Sequence, residues 1–227
     1  MNTTVLDEME LGIRRVAALQ LWQLGAIRVS PAEPFRLASG NYSPIYINCR
    51  QLISAPAFAD LFAAGARIIC QRHDLRFDVI AGGETAGIPF AAFLARSFGC
   101  PMAYVRKAAK SHGIASRIEG MLGAGSRVLL VEDLITDAGS KLSFIDAISD
   151  SGSTVAGVLV AFDRLQGGRE ALGKLGIPLH AVTDIDAALA VAQDADLLAD
   201  EALGQIRQYL DDAAAWHAAR GLAYGQT

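Results

Sequence analysis

The chain has 227 residues, 52% of them apolar and 19% charged, with a formal net charge of −4. This composition excludes a disordered chain and is long enough for one sizeable core. The negative balance speaks against a nucleic-acid-binding surface, so any anionic ligand has to be met by a local cluster of cations.

The opening MNTTVLDEME carries acids where a secretory signal would have basic residues. No apolar run approaches the roughly 20 residues of a membrane span. A cytoplasmic protein without membrane contact is therefore expected. Residues 7–24 are predicted helical, with Met9, Ile13, Val16, Ala17 and Leu24 at helical spacing and Gly25 as the stop. In 31–50, PAEPFRLASGNYSPIYINCR, Pro31, Pro34, Gly40 and Pro44 break helices while Ile45-Tyr46-Ile47 suits a short strand. This reads as a hairpin-like hood outside an alternating core.

From residue 56, Phe58, Leu61, Phe62, Gly65, Ile68 and Ile69 predict a helix with one buried face. A strand at 78–81 leads through Gly82-Gly83 to a helix over 87–97. A second strand, 102–105, runs into basic residues. A third, 127–131, ends in Glu132-Asp133 and feeds a helix from about 140 to 149. Further strands follow at 155–162 and near 179–182. The segment 183–227 is rich in Ala and Asp and reads as helical packing or oligomer surface. Cys49, Cys70 and Cys100 form no CxxC pair and lack zinc-site spacing, so they read as small buried hydrophobes in a reducing compartment.

Nearly all-apolar strands separated by helices imply a mostly parallel sheet covered on both faces, in a single α/β domain. Ligands of such sheets sit beyond the carboxyl ends of the strands. The polar clusters 82–85, 106–110, 132–140 and 163–164 all fall there.

The most informative segment is RVLLVEDLITDAGSK, residues 127–141. Adjacent carboxylates at the end of a buried strand are costly unless a cation or a hydroxyl-rich ligand meets them. A sugar diol supplies donors and a magnesium ion supplies charge. The loop Thr136-Asp137-Ala138-Gly139-Ser140 opens a helix, where backbone N–H groups and the helix dipole suit a phosphate. Thr136 and Ser140 add hydroxyls, and the small Ala138 and Gly139 allow close approach. Two acids and a capping serine by themselves would equally describe a surface turn; the apolar strand before them and the small-residue loop behind favour a site.

This element resembles the signature of the type I phosphoribosyltransferases. The resemblance implies that Glu132 and Asp133 face the ribose hydroxyls, and that the stretch Leu134, Ile135, Thr136, Asp137, Ala138, Gly139 and Ser140 lines the sugar-phosphate site. Asp137 departs from the small or hydroxylic residue usual there.

Arg106-Lys107-Ala108-Ala109-Lys110-Ser111-His112 places three cations and a histidine within seven residues of an otherwise acidic chain. Gly113, Gly120, Gly123 and Gly125 predict a mobile loop after them. Cations on a closing loop would neutralise a departing pyrophosphate and exclude water, and His112 could hydrogen-bond it or shuttle a proton. The pattern R-K-x-x-K-x-H-G resembles the catalytic loop of the orotate phosphoribosyltransferases. That implies a homodimer, with Arg106 and Lys107 on the donor's pyrophosphate in their own subunit and Lys110 and His112 acting in the neighbouring one.

Three more segments carry the same resemblance, which spans roughly residues 10–210. FRLASGNYSPIYINCR (35–50) is similar to that family's hood, implying that Tyr46 lies against the base. GGETAGIPFA (82–91) resembles its segment beside the pyrophosphate. AFDRLQGG (161–168) implies that Arg164 holds the orotate carboxylate, a group that a guanidinium fork grips with two parallel hydrogen bonds. Many relatives carry lysine where this chain has Ala38 and Ala86; the nearby residues here are Arg36, Ser39 and Thr85.

The implied reaction joins orotate and 5-phosphoribosyl 1-diphosphate into orotidine 5'-phosphate and pyrophosphate, in pyrimidine biosynthesis. Magnesium is held mainly through the donor, near Glu132 and Asp133. The alternatives are a purine phosphoribosyltransferase and a non-catalytic sensor of the same donor. The sensor would be expected to lose the basic loop and gain a DNA-binding extension.

Overall fold

The computed structural model describes residues 3–37, 39–108 and 116–225. Helix α1 (Thr3–Gln23) starts before the predicted boundary and ends at Gly25, whose φ of 67° is a left-handed conformation that glycine adopts without a Cβ penalty. Its buried stripe is Leu6, Ala17, Ala18 and Leu21, whereas Met9, Val16 and Leu24 are exposed. The predicted apolar face was thus rotated, because alanines in this helix face the core and larger side chains sit at its rim.

The hood consists of two small antiparallel ribbons in place of one hairpin. Strand β1 (Ile27–Val29) pairs with β4 (Ile45–Ile47), and β2 (Phe35–Arg36) pairs with β3 (Tyr42–Ser43). A short 3-10 helix, Cys49–Ser54, leads out of it. Helix α1 packs on the helical layer of the main domain, so the hood proper begins after it. Helix α2 (Pro56–Arg72) starts on a proline in its first turn and buries Phe58, Phe62, Gly65, Ile68 and Ile69, as the spacing predicts.

Strand β5 (Val79–Gly83), helix α3 (Gly87–Phe98), strands β6 (Met102–Val105), β7 (Ile118–Gly120) and β8 (Arg127–Ile135), helix α4 (Gly139–Asp150) and strand β9 (Thr154–Asp163) follow. They are succeeded by α5 (Gly168–Gly173), β10 (Leu179–Asp184), α6 (Ile185–Asp194), α7 (Asp200–Asp211) and α8 (Ala213–Ala218). The sheet order is β10-β9-β8-β5-β6-β7, parallel throughout except for β7.

Strand β7 corrects the expectation of a mobile loop over its whole length. Ile118 pairs with Val105 and Gly120 with Ala103, and a Cβ on Gly120 would stand 2.9 Å from the Met102 carbonyl oxygen. Strand β8 also runs farther than predicted, carrying Glu132 and Asp133 inside the strand instead of beyond it.

Alternation along the strands builds two cores. Leu129, Val131, Leu159 and Ala161 join Phe58, Phe62 and Phe90 on one face. Val128, Leu130, Val158 and Val160 join Phe144 and Ile148 on the other. At the foot of the sheet, Asp78 accepts three hydrogen bonds from Arg127, at 2.9, 3.0 and 2.8 Å, which hold its carboxyl down at about 2. Among the described residues no helix is long and apolar enough to cross a membrane.

The close approach of β5 to the start of α3 depends on glycine. A Cβ on Gly82 would lie 2.7 Å from the Gly87 carbonyl oxygen and 2.8 Å from Ile88 Cα, with backbone that has no room to yield. We therefore expect Gly82→Ala to destabilise the protein by about 1–3 kcal/mol. Gly204, within α7, has nothing within 4 Å of the corresponding position, so Gly204→Ala is expected to stabilise by about 0.5–1 kcal/mol. Urea unfolding midpoints check both; a neutral Gly82→Ala would show that the β5–α3 junction can relax.

Candidate active site

Parallel pairing brings the carboxyl ends of β5, β6, β8 and β9 to one edge of the sheet. Gly82 is in register with Tyr104 on one side and Val131 on the other, and Ile135 with Asp163. The predicted polar clusters are thus neighbours in space, as the expectation for such sheets requires.

The two acids, expected to face one ligand together, are divided by the period of the strand. Glu132 is buried, 4% exposed, and its Oε2 stands 3.2 Å from Lys141 Nζ in the first turn of α4. Burial raises its pKa, Lys141 opposes the rise, and the Asp133 charge adds to it. The Gly83 N–H also favours the charged form, yet Oε1 completes no hydrogen bond of normal geometry among the described residues. Asp133 is half-buried and turns toward the hood, where Arg50 and Cys49 lie within its field. Burial raises its pKa too, with Lys141, the Leu134 N–H and Arg50 opposing.

The Thr136–Ser140 loop bridges β8 and α4. Leu134 is half-buried and Ile135 buried, so these two serve chiefly to seat the loop. The Thr136 carbonyl accepts from Gly168 N–H at 2.8 Å, tying the loop to α5. Asp137 accepts from the Gly139 N–H at 3.0 Å, so its carboxylate occupies one of the amide donors assigned to a phosphate. Ala138, buried, takes a left-handed backbone with φ 73° at the helix cap, and its carbonyl accepts from Lys141 and Leu142. Ser140 Oγ, exposed, accepts from Lys141 Nζ at 3.3 Å.

On the other side of β5, Lys107 N–H donates to Glu84 Oε2 at 2.8 Å and Glu84 N–H to the Val105 carbonyl at 2.8 Å. The peptide bond between Glu84 and Thr85 is cis. Arg106 is half-buried, with Nη1 4.0 Å from Glu119, and its backbone is clamped in both directions by Arg117. Lys110 and His112, expected to act on pyrophosphate, lie outside the described residues, as does Ala38.

Arg164 follows the end of β9, its N–H bonded to the Ile135 carbonyl at 3.0 Å. A simple ion pair with Asp163 would have been the bland explanation for this arginine. Asp163 is instead committed to the Leu165 N–H at 2.8 Å and to Arg169 at 3.4 Å. Burial lowers the Arg164 pKa, while the fields of Tyr209 and the Cys49 thiol oppose that shift. Tyr46 sits on the hood, 39% exposed, with its ring 5.7 Å from that of Phe35.

Three residues escaped the sequence reasoning. Lys141 and Arg50 each close a segment named in the sequence, RVLLVEDLITDAGSK and FRLASGNYSPIYINCR, without a role of their own there. Tyr209 carried no local signal at all.

Residues 51–174 match the model of the phosphoribosyl transferase domain. The orotate phosphoribosyltransferase of Sinorhizobium medicae is 42% identical over 210 residues, covering 91% of this chain and 90% of that protein. The crystal structure of orotate phosphoribosyltransferase from Aeropyrum pernix aligns with a TM-score of 0.69 at 29% identity, covering 80% of this chain and 99% of that one. The Mycobacterium tuberculosis enzyme, solved in complex with 5-phospho-alpha-D-ribosyl 1-diphosphate, aligns with a TM-score of 0.64 at 25% identity, covering 78% of this chain and 98% of that one. Nearly end-to-end identity at this level, on a sheet edge built as described, leaves one assignment: the chain belongs to the orotate phosphoribosyltransferase family.

Proposed function

We propose that this chain transfers the phosphoribosyl group of 5-phosphoribosyl 1-diphosphate to orotate, releasing pyrophosphate and forming orotidine 5'-phosphate for pyrimidine biosynthesis. The observation that carries the reading is the register of β8 with β9. It sets the Thr136–Ser140 loop beside Arg164, a guanidinium with no ion pair among the described residues, and this supports an anionic ligand at that edge.

In this reading the 5'-phosphate rests on the loop and the first turn of α4, where helix-end amides favour an anion. Asp137 then gives up the Gly139 N–H. Asp133, half-buried and of raised pKa, lies under the ribose, where positive charge develops as the glycosidic bond breaks. Arg106 and Lys107 hold the pyrophosphate, and Lys110 and His112 of a second subunit complete its neutralisation. Arg164 receives the orotate carboxylate and Tyr46 covers the ring. Orotate is nucleophilic at its ring nitrogen once deprotonated, so no strong protein base is needed.

Among the described residues no three acidic, imidazole or thiol groups converge to cage a metal. Magnesium needs no such cage, since one or two carboxylates plus substrate phosphates suffice. Asp133 is the residue that would hold it, and the ion would supply charge to the departing pyrophosphate.

Purified protein with magnesium and the donor is expected to consume orotate, read by loss of its absorbance, and to stop when magnesium is chelated. Conversion of adenine or hypoxanthine in place of orotate would overturn the base assignment. Arg164→Ala is expected to raise KM for orotate by about 10- to 100-fold, the scale of a lost charged hydrogen bond, with KM for the donor little changed.

Lys110→Ala should lower kcat by about 10²–10³-fold with a smaller effect on donor affinity; equal loss in both would remove its leaving-group role. Mixing Lys110→Ala subunits with Asp133→Ala subunits is expected to restore activity, since one site of each mixed dimer then has both groups. No recovery from mixed dimers would overturn action in trans.

A further inference from the structure

A single side chain outside the motifs read in the sequence joins the end of β6 to helix α4. Arg117 stands directly before β7, half-buried, and each nitrogen of its guanidinium donates to a different acceptor. Nε donates to the Arg106 carbonyl at 2.9 Å, Nη1 to the Ser143 carbonyl at 3.0 Å and Nη2 to the Ser143 hydroxyl at 3.0 Å. The Arg117 carbonyl also accepts from the Arg106 N–H at 2.7 Å. Arg106 and Arg117 thus extend the pairing of Val105 with Ile118, and the same guanidinium crosses to α4.

Both anchors bear on the proposed reading. Arg106 is the residue assigned to pyrophosphate, and its Nη1 is buried with no hydrogen-bond partner among the described residues. Ser143 lies in α4, the helix whose start is assigned to the 5'-phosphate. Lys141, on the same helix, stands 3.2 Å from Glu132 of β8. Helix α4 is therefore held to β8 through Lys141 and to the end of β6 through Arg117. An arginine in a surface ion pair has little effect on its surroundings. A planar fork that satisfies three acceptors on two elements fixes how far apart those elements stand.

We infer that Arg117 is a positioning residue that sets the spacing between the donor's two anion sites, Arg106 at the pyrophosphate and the start of α4 at the 5'-phosphate. The inference rests on the proposed roles of those two sites. The donor carries negative groups at both ends of one sugar, so it gains from both sites only when their spacing matches its own length. A ligand with one anionic end has no such requirement. Inorganic pyrophosphate and ribose 5-phosphate each settle on one site wherever the other stands.

Arg117→Met removes the fork and keeps an unbranched stem. With the whole chain, magnesium and no orotate, calorimetric titration is expected to show Kd for the donor raised by about 5- to 30-fold, part of the advantage of about 10²- to 10⁴-fold that linking two sites gives. Kd for inorganic pyrophosphate and for ribose 5-phosphate should each stay within about twofold of wild type. Arg117→Lys keeps the charge without the fork and should resemble Arg117→Met. Ser143→Ala removes one acceptor and should raise Kd for the donor by about 2- to 5-fold, the scale of one net hydrogen bond.

A loss of affinity for either one-ended ligand as large as that for the donor would overturn the spacing role. So would wild-type donor affinity in Arg117→Met, or full recovery in Arg117→Lys, which would make the residue a source of charge alone. Those results leave the assignment of Arg106 standing. Unchanged pyrophosphate affinity in Arg106→Ala would instead overturn that assignment, and the inference with it. Thermal midpoints are measured alongside, and if Arg117→Met melts early, Ser143→Ala carries the same comparison of one-ended and two-ended ligands.

Discussion

A carboxylate sealed in the sheet, Glu132 against Lys141, constrains everything around it. A buried charge of this kind must be paired, and removing one partner of such a pair typically costs about 3–5 kcal/mol. Lys141 stands in the first turn of α4, so holding it at 3.2 Å from Glu132 fixes where α4 begins relative to β8. The loop between them then has no freedom to choose its span. The same carboxylate fills the space that a Cβ on Gly83 or Gly87 would need, its Oε1 lying 2.2 and 2.3 Å from those positions. Glycine in β5 and at the start of α3 follows from that.

Strand alternation gives the acidic pair two different surroundings. Glu132 faces α4 and its lysine, which ties the start of that helix to the strand and so seats the Thr136–Ser140 loop. Asp133 is half-buried, with Arg50 and Cys49 within its field, which in the proposed reading leaves it as the acid for a ligand. The Cys49 thiol, buried and raised well above its ordinary pKa first by burial and then by Asp133, stays protonated and contributes no competing charge. The field at Asp133 is consequently set by Lys141 first and Arg50 after it, with Glu132 the adjoining acid.

Much of this was legible in the chain because fully buried parallel strands are written as short apolar runs with polar residues at their ends. Val79–Gly83, Met102–Val105 and Thr154–Asp163 all lie close to their expected places for that reason. What was not legible has physical causes as well. Ile118-Glu119-Gly120 is an edge strand of only three residues, too short for any periodicity to register. The face of α1 was misjudged because tight helix packing there uses alanines. Glu132 and Asp133 looked like one motif in sequence, and only the two-residue period of a strand that continues through them to Ile135 divides them.

Tyr209 was beyond reach for a different reason. Nothing near DEALGQIRQYLD tells that its tyrosine is buried edge-on against Trp216 with Arg164 in its field. Arg164, which lies within its field, stands at the end of β9, remote from α7 in sequence. In the proposed reading the sheet edge would meet its anion with groups that are local in the chain, since helix-end amides and the loop before them come as one piece. A base has no such ready-made cradle. It must be gripped between walls from separate parts of the fold, in the proposed reading the end of β9 and the hood, whose β2–β3 ribbon is itself held by His217 of α8. Phosphate recognition can therefore be written in one motif, while base recognition has to be assembled from contacts that only the completed fold brings together.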